Sequence, residues 1–351
     1  MPLTLLWVTI ILMKKALALL LLPVSLAVGA CSGGAGEPTA SPSARVESSA
    51  ANSADKPNVV VAFYGLEYAA NQVAGDLVNI SMLTAPGADA HGTELKPSQL
   101  KEITEADLVV YLKQFQPAVD EAITQSGNPK VLDVSEVVKL LPVDHKDDHD
   151  HDTHKDDHDH DTHKDDHDHD THKDDHDHGD FDPHFWQDPL RLAQVGDAIA
   201  HKLGDGFPAL KEQLAKGASE FSNQMTALDG EFAKGLASCE RKTFITSHQA
   251  FNYLAEKYGL TEIGISGINP DDEPSPARIA EVQRLAKEHN VTTIFFETLT
   301  SPAVSEAIAG DLGLKTAVLD PLEGITANSP GKDYPSIMRA NLSELKTANG
   351  C

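Results

Sequence analysis

Cysteine is scarce in this 351-residue chain, with Cys31, Cys239 and Cys351 the only three. No second pair and no C-x-x-C spacing accompanies them, which argues against cysteine as a metal ligand. Positive charge is also short: 28 Lys and Arg face 54 Asp and Glu, for a net charge of −26. A balance this acidic argues against a nucleic-acid partner and fits attraction of cations. Catalytic signatures are missing, since no H-E-x-x-H, Walker loop or G-x-S-x-G occurs, so the chain is read as a non-enzyme. The apolar run from Ala16 to Val28 is short for a transmembrane anchor.

What is abundant is histidine, concentrated in one place. From Asp144 to Asp180 a nine-residue unit, His-Lys-Asp-Asp-His-Asp-His-Asp-Thr, begins at His145, His154 and His163, with a partial copy from His172. The tract holds 12 of the 17 histidines, and its 17 Asp against 4 Lys supply half of the net charge. Nothing apolar is present to offset the entropy of ordering it, so it reads as an insertion that is not part of the packed fold. Imidazole and carboxylate at this density are ligands for Zn²⁺ or a similar borderline cation. A solvated acidic loop is the plainer alternative. Below about pH 6.5 the imidazoles protonate and any metal held there is released.

The N-terminus reads as an export signal. Met13-Lys14-Lys15 is a basic opening and Ala16 to Val28 an apolar centre, making Met13 the expected start and residues 1–30 a signal peptide. The close, Val28-Gly29-Ala30-Cys31, resembles the bacterial lipobox, whose cysteine is lipidated; residues 31–56, rich in Ser, Ala, Gly and Pro, then form a flexible tether. Export places Cys239 and Cys351 where thiols oxidise, so a disulfide is expected, with two free thiols the alternative.

Beyond the tether, strands alternate with helices. Strands are expected at Asn58 to Tyr64, Leu77 to Leu83, Asp107 to Tyr111 and Lys130 to Asp133, with helices between them. After the tract come a helix over Pro189 to Leu203 and a much longer one opened by Pro208 and running to about Ser238. Its apolar positions, from Leu210 to Leu236, fall mostly three, four or seven apart; Gly217, Gly230 and Gly235 weaken the case for continuity. A second strand–helix set begins at Thr243. The apolar strands do not alternate in polarity, which indicates parallel sheets. The expected architecture is therefore α/β: two similar lobes with parallel sheets, joined by one long helix, with the metal site in the inter-lobe cleft. The lobes are drawn at 57–203, carrying the insertion 144–180, and 239–351, with 204–238 as the linking helix.

Ligands of open parallel sheets bind beyond the carboxyl ends of the strands. His91, His184, His248 and Asp320 fall in such loops, two from each lobe. Three imidazoles and one carboxylate close a tetrahedral site suited to Zn²⁺, which binds rather than hydrolyses because no position is left for water. Each residue taken singly reads as easily as a surface group. Glu297 ends a strand nearby and is a candidate outer or substitute carboxylate. His201 and His289 read as surface residues, and Trp186 as packing.

Several segments carry a family resemblance. They are Pro86-Gly87-Ala88-Asp89-Ala90-His91, Asp182-Pro183-His184-Phe185-Trp186-Gln187-Asp188-Pro189, Ser247-His248-Gln249-Ala250-Phe251-Asn252-Tyr253-Leu254, Gly267-Ile268-Asn269-Pro270, Glu273-Pro274-Ser275 and Leu319-Asp320-Pro321-Leu322. From Lys56 to Cys351 the chain resembles the solute-binding proteins of zinc and manganese ABC transporters, the ZnuA-like or cluster A-I family. The resemblance implies His91, His184, His248 and Asp320 as metal ligands. It implies a lipid-anchored monomer on the outer face of the cell membrane that hands Zn²⁺ to an ABC permease and its ATPase. Histidine at the third ligand position resembles the zinc branch, where the manganese branch carries a carboxylate. A manganese-binding or adhesin-type lipoprotein of the same fold, and an extracellular zinc buffer working through the tract, are the rival readings. Two departures bear on loop shape: Ala90 stands where proline often precedes the first histidine, and Leu112 to Gln116 lacks the glycine common after that strand.

Overall fold

A computed structural model of the chain describes residues 56–143 and 181–351. The signal peptide, the Met13 start, Cys31 with its tether, and the His/Asp tract all lie outside the described residues. Among the described residues no helix is long and apolar enough to cross a membrane.

The first lobe is built from β1 (Asn58–Val61), α1 (Tyr64–Ala74), β2 (Asn79–Met82), α2 (Pro97–Glu105), β3 (Leu108–Tyr111), α3 (Pro117–Ser126) and β4 (Val131–Asp133). Its strands pair in parallel in the order β2-β1-β3-β4. Val59, Val60 and Val61 on β1 and all four residues of β3 are buried, as strands covered on both faces require. Two short strands that the polarity pattern did not mark, β5 (Leu141–Pro142) and β6 (Phe181–Asp182), pair antiparallel on either side of the tract.

Two helices follow, α4 (Pro189–Gly206) and α5 (Lys211–Leu236). Pro208–Leu210 is a separate 3-10 turn, so the long helix starts three residues later than its proline suggests. The 26 residues of α5 span about 39 Å at ~1.5 Å each. The helix runs unbroken through Gly217 and Gly230. Gly217 is required by packing: a Cβ there would run into the carbonyl of Val73 on α1. The helical connection between the lobes is thus α4 and α5 packed along one another, with α1 against both.

The second lobe comprises β7 (Thr243–Thr246), α6 (Asn252–Tyr258), β8 (Thr261–Gly264), α7 (Pro276–Glu288), β9 (Thr293–Phe296), α8 (Ala303–Leu312), β10 (Lys315–Val318) and α9 (Tyr334–Asn349). Its parallel order, β10-β9-β7-β8, repeats that of the first lobe: in each, the first strand lies between the second and the third, and the fourth lies beyond the third. The two sheets are topological copies. Cys239 and Cys351 form a disulfide across 112 residues, tying the end of α9 to the start of this lobe. Arg241 reinforces the tie, its backbone N–H donating to Asn349 O at 3.0 Å and its Nε to Ala348 O at 3.0 Å.

One apolar core runs from β1 and β3 through α4 and α5 to Phe244, Tyr253 and α9, and a smaller one lies around Ile245, Ile263 and Val282. Tyr68 of α1 stacks on Tyr334 of α9 at 5.3 Å, and the Tyr334 hydroxyl donates to Trp186 O at 2.6 Å. The lobes therefore share packing as well as a connection.

Candidate metal centre

The loops that leave the carboxyl ends of β2 and β7, together with the segment after β6, carry three histidines inward. His91 follows β2 in a loop held by Gln116, whose Nε2 donates to Ala90 O at 2.8 Å and to Thr84 Oγ1 at 3.0 Å. His184 follows Asp182, which closes a local turn by accepting from His184 N at 2.9 Å. His248 sits beyond β7 in a turn gripped by buried Glu262 of β8. That carboxylate accepts from Thr246 Oγ1 at 2.7 Å and from Phe251 N at 2.9 Å. Burial first, then the hydrogen bond from Thr246 and the charge of Asp182, set the Glu262 carboxyl, which is pushed up to about 7.

The Nε2 atoms of all three rings converge on one carboxylate, that of Glu323. Glu323 Oε1 lies 3.1 Å from His184 Nε2, 3.2 Å from His248 Nε2 and 3.4 Å from His91 Nε2. His91 and His184 Nε2 are 3.2 Å apart. A tetrahedral ion with ligands at about 2.0–2.1 Å requires donor–donor edges of about 3.3 Å. Those four edges meet that requirement.

Asp320, expected as the fourth donor, does not join this group. It caps its own turn, accepting from Leu322 N at 2.9 Å and from Thr298 Oγ1 at 3.3 Å. Leu322 takes the left-handed region, with φ 62°. This turn sends the chain back so that Glu323, three residues on, faces the imidazoles. Pro321 O is fixed by Trp186 Nε1 at 2.8 Å and Gln187 Nε2 at 2.6 Å, which ties the Glu323 turn to the His184 segment. Asn341 of α9 holds the other side, its Oδ1 accepting from Asp320 N at 3.0 Å and its Nδ2 donating to Asp320 O at 2.7 Å. Trp186 is fully buried and serves as packing and as this clamp. A sequence cue for Glu323 existed in the turn formers around it, Pro321 and Gly324. A Cβ on Gly324 would meet Ala88 O at 2.8 Å, so this glycine lets the Glu323 turn approach the His91 loop.

Two imidazoles have a carboxylate behind them. Asp182 Oδ1 is 2.7 Å from His184 Nδ1, and Glu297 Oε1 is 2.6 Å from His248 Nδ1. Glu297 thus stands behind His248 and not among the four converging donors; Ser247 Oγ also donates to it at 2.5 Å. Burial depresses the His184 imidazole, but the charge of Asp182 and the hydrogen bonds to Asp182 and Glu323 outweigh it and push it up to about 9. His248 is likewise opposed by burial, yet Glu297 and Glu323 hold it well above the usual range. Among the described residues His91 has no carboxylate behind it, and burial lowers it. Burial opposes the charge of Glu323, but His248 and the hydrogen bonds from the three rings hold it well below the usual carboxylate range. Without a metal, the carboxylates around them favour the protonated forms of His184 and His248, with Glu323 the charge they face. A bound ion would take the place of the Nε2 protons, while the Nδ1–H of His184 and of His248 would still donate to Asp182 and Glu297.

Two repeated parallel-sheet lobes sharing one core, with four buried donors at tetrahedral spacing where their loops meet, define a two-lobed α/β protein built around a cation-type site. The chain belongs to the family described as zinc-uptake complex component A, periplasmic, whose model matches residues 59–348. It is 33% identical over 297 residues to the zinc-binding lipoprotein AdcA of Streptococcus pneumoniae, a match covering 83% of this chain and 55% of AdcA. The chain thus spans about half the length of that relative. It is 32% identical over 304 residues to the high-affinity zinc uptake system protein ZnuA of Bacillus subtilis, covering 85% of this chain and 89% of that one. The crystal structure of Zn(II)-bound AdcA from Streptococcus pneumoniae matches with a TM-score of 0.66 at 31% identity, covering 84% of this chain and 58% of that one.

Proposed function

We propose that the chain is the extracytoplasmic solute-binding component of an ABC transporter, capturing Zn²⁺ with His91, His184, His248 and Glu323 and delivering it to the membrane permease. The observation that carries this reading is the convergence of three Nε2 atoms and one carboxylate oxygen at 3.1–3.4 Å. Three nitrogens and one oxygen suit Zn²⁺ better than harder ions, which favour all-oxygen shells. Zinc binding in the relatives AdcA and ZnuA supports the choice of metal, and membership of a zinc-uptake family supports delivery to a permease and its ATPase. With every tetrahedral position taken by the protein, the bound ion activates no water, so the protein carries its substrate without transforming it.

Lipidation of Cys31, a monomeric state and the lobe bounds drawn from the sequence belong to the same reading. The core shared between lobes favours release by loop rearrangement or small tilts over a wide hinge. A domain rotation above about 20° between metal-free and zinc-bound crystals argues against that, since hinge closure needs lobes free to turn. The deciding experiment for the site is crystallography with anomalous data at the zinc edge. One ion within bonding distance of the four donors is expected, and an ion on Asp320 overturns the assignment. Competition of Zn²⁺ against Mn²⁺ tests the manganese rival. Deletion of Asp144 to Asp180 tests the buffer rival, and tight binding of one zinc per chain should survive it.

A further inference from the structure

The four donors are not equally sheltered. The side chains of His184 and Glu323 are 0% exposed and that of His248 2%, whereas that of His91 is 8% exposed. His91 alone of the four lines a cavity of about 230 Å³, with Gln114, Phe115, Gln249, Gly267 and Asn269 among its other walls. Six waters at about 30 Å³ each occupy about 180 Å³, so the cavity has room for a divalent cation with its hydration shell. Its walls suit such a guest. Among the described residues, the side-chain amides of Gln114 and Gln249 have no hydrogen-bond partner within the protein, which leaves both able to bond to coordinated water.

Gln114 has a second peculiarity. It holds φ 67°, a left-handed conformation that is strained for a residue with a side chain. Its N–H donates to Asp120 Oδ2 at 2.8 Å, which fixes the backbone there. A glutamine kept where glycine is unstrained points to a use for its side chain.

We propose that this cavity is the vestibule through which a hydrated divalent cation reaches the four donors, with His91 its first inner contact and Gln114 a polar contact on the wall. This rests on the zinc-capture reading above. The ion exchanges one water for His91 Nε2 at the inner end, then passes to the three buried donors. It leaves by the same path in reverse.

Stopped-flow kinetics on the full metal-free chain test it, with Zn²⁺ supplied against a chromogenic chelator that silences weak sites. A Cβ at Gly267 meets no atom within 4 Å, so Gly267→Leu adds bulk to the cavity wall with no clash at its Cβ. Association and dissociation should both slow several-fold by the same factor, leaving Kd unchanged, because an obstruction acts equally in both directions. Gln114→Gly relieves the left-handed strain, so its thermal midpoint should hold or rise while association slows. Unchanged association in Gly267→Leu with Kd intact overturns the vestibule. Unchanged association in Gln114→Gly alone overturns the part given to Gln114. A wild-type chain that shows no tight one-to-one zinc binding overturns the capture reading itself.

Discussion

His184 and His248 are buried, each with a carboxylate on Nδ1 that holds its imidazole above the usual range. Among the described residues His91 has no such carboxylate; it rests edge-on against Phe115 at 4.8 Å and lines the cavity. The difference teaches that the site is prepared from one side. The inner pair and Glu323 form a charged, oriented cup before any ion arrives. His91 closes it as a neutral ligand whose ring is steered by packing more than by charge.

The comparison breaks first at Glu323, where the largest effect is expected. Glu323→Ala removes the counter-charge of the cup, and zinc affinity by calorimetry should fall well beyond the about 10–100-fold typical of residues behind the ligands. Asp320→Ala should retain one-to-one binding and lose instead about 1 kcal/mol of stability with its turn cap. Equal losses in the two variants would sink the assignment of Glu323.

Acid–base titration of the metal-free protein comes next. His184 is raised to about 9. Its protonation therefore stabilises the fold fully below its unfolded value near 6.5, and that stability is lost as pH rises through about 9. Denaturant melts without metal should show a loss of roughly 3 kcal/mol across this window. Zinc affinity should move the opposite way and strengthen with pH, since fewer protons must be displaced. Binding enthalpy at pH 7 should accordingly vary with the ionisation enthalpy of the buffer.

Neutralising the carboxylates behind the inner pair is the third test. Asp182→Asn and Glu297→Gln should each weaken zinc binding by about 10–100-fold while leaving four ligands in place. The smallest effect falls on the other side of the site. Phe115→Leu removes the edge contact to His91 and should cost only about 0.5–1.5 kcal/mol of zinc binding. If it exceeds the Asp182→Asn loss, the site is not asymmetric in the way described.

Much of this molecule was readable along the chain. Strands such as Thr243–Thr246 and helices such as Pro97–Glu105 fall where apolar runs, proline starts and spacing place them. All three converging histidines were found because each lies in a loop beyond a strand or before a helix. The carboxylate that lies among the three rings is Glu323, where Asp320 is the expected one. Asp320 and Glu323 are three residues apart, and nothing in their spacing says which one faces the site. The left-handed Leu322 and the clamp on Pro321 O from a distant segment decide it. The glycines of α5 illustrate the same limit: Gly217 reads as a helix breaker until the Val73 carbonyl is seen against it.

The two repeated α/β sets, the histidines and the family are legible along the chain, because propensity, periodicity and local motifs are properties of short stretches; the Cys239–Cys351 disulfide was an expectation from export, with free thiols the alternative, and the fold forms it. The tertiary structure brings Glu323 and not Asp320 to the three histidines, sets Asp182 and Glu297 behind the inner rings, and places His91 on a cavity wall. Those placements are set by backbone turns such as that at Leu322 and by contacts such as His248 Nδ1 to Glu297, 49 positions apart, which no local pattern records.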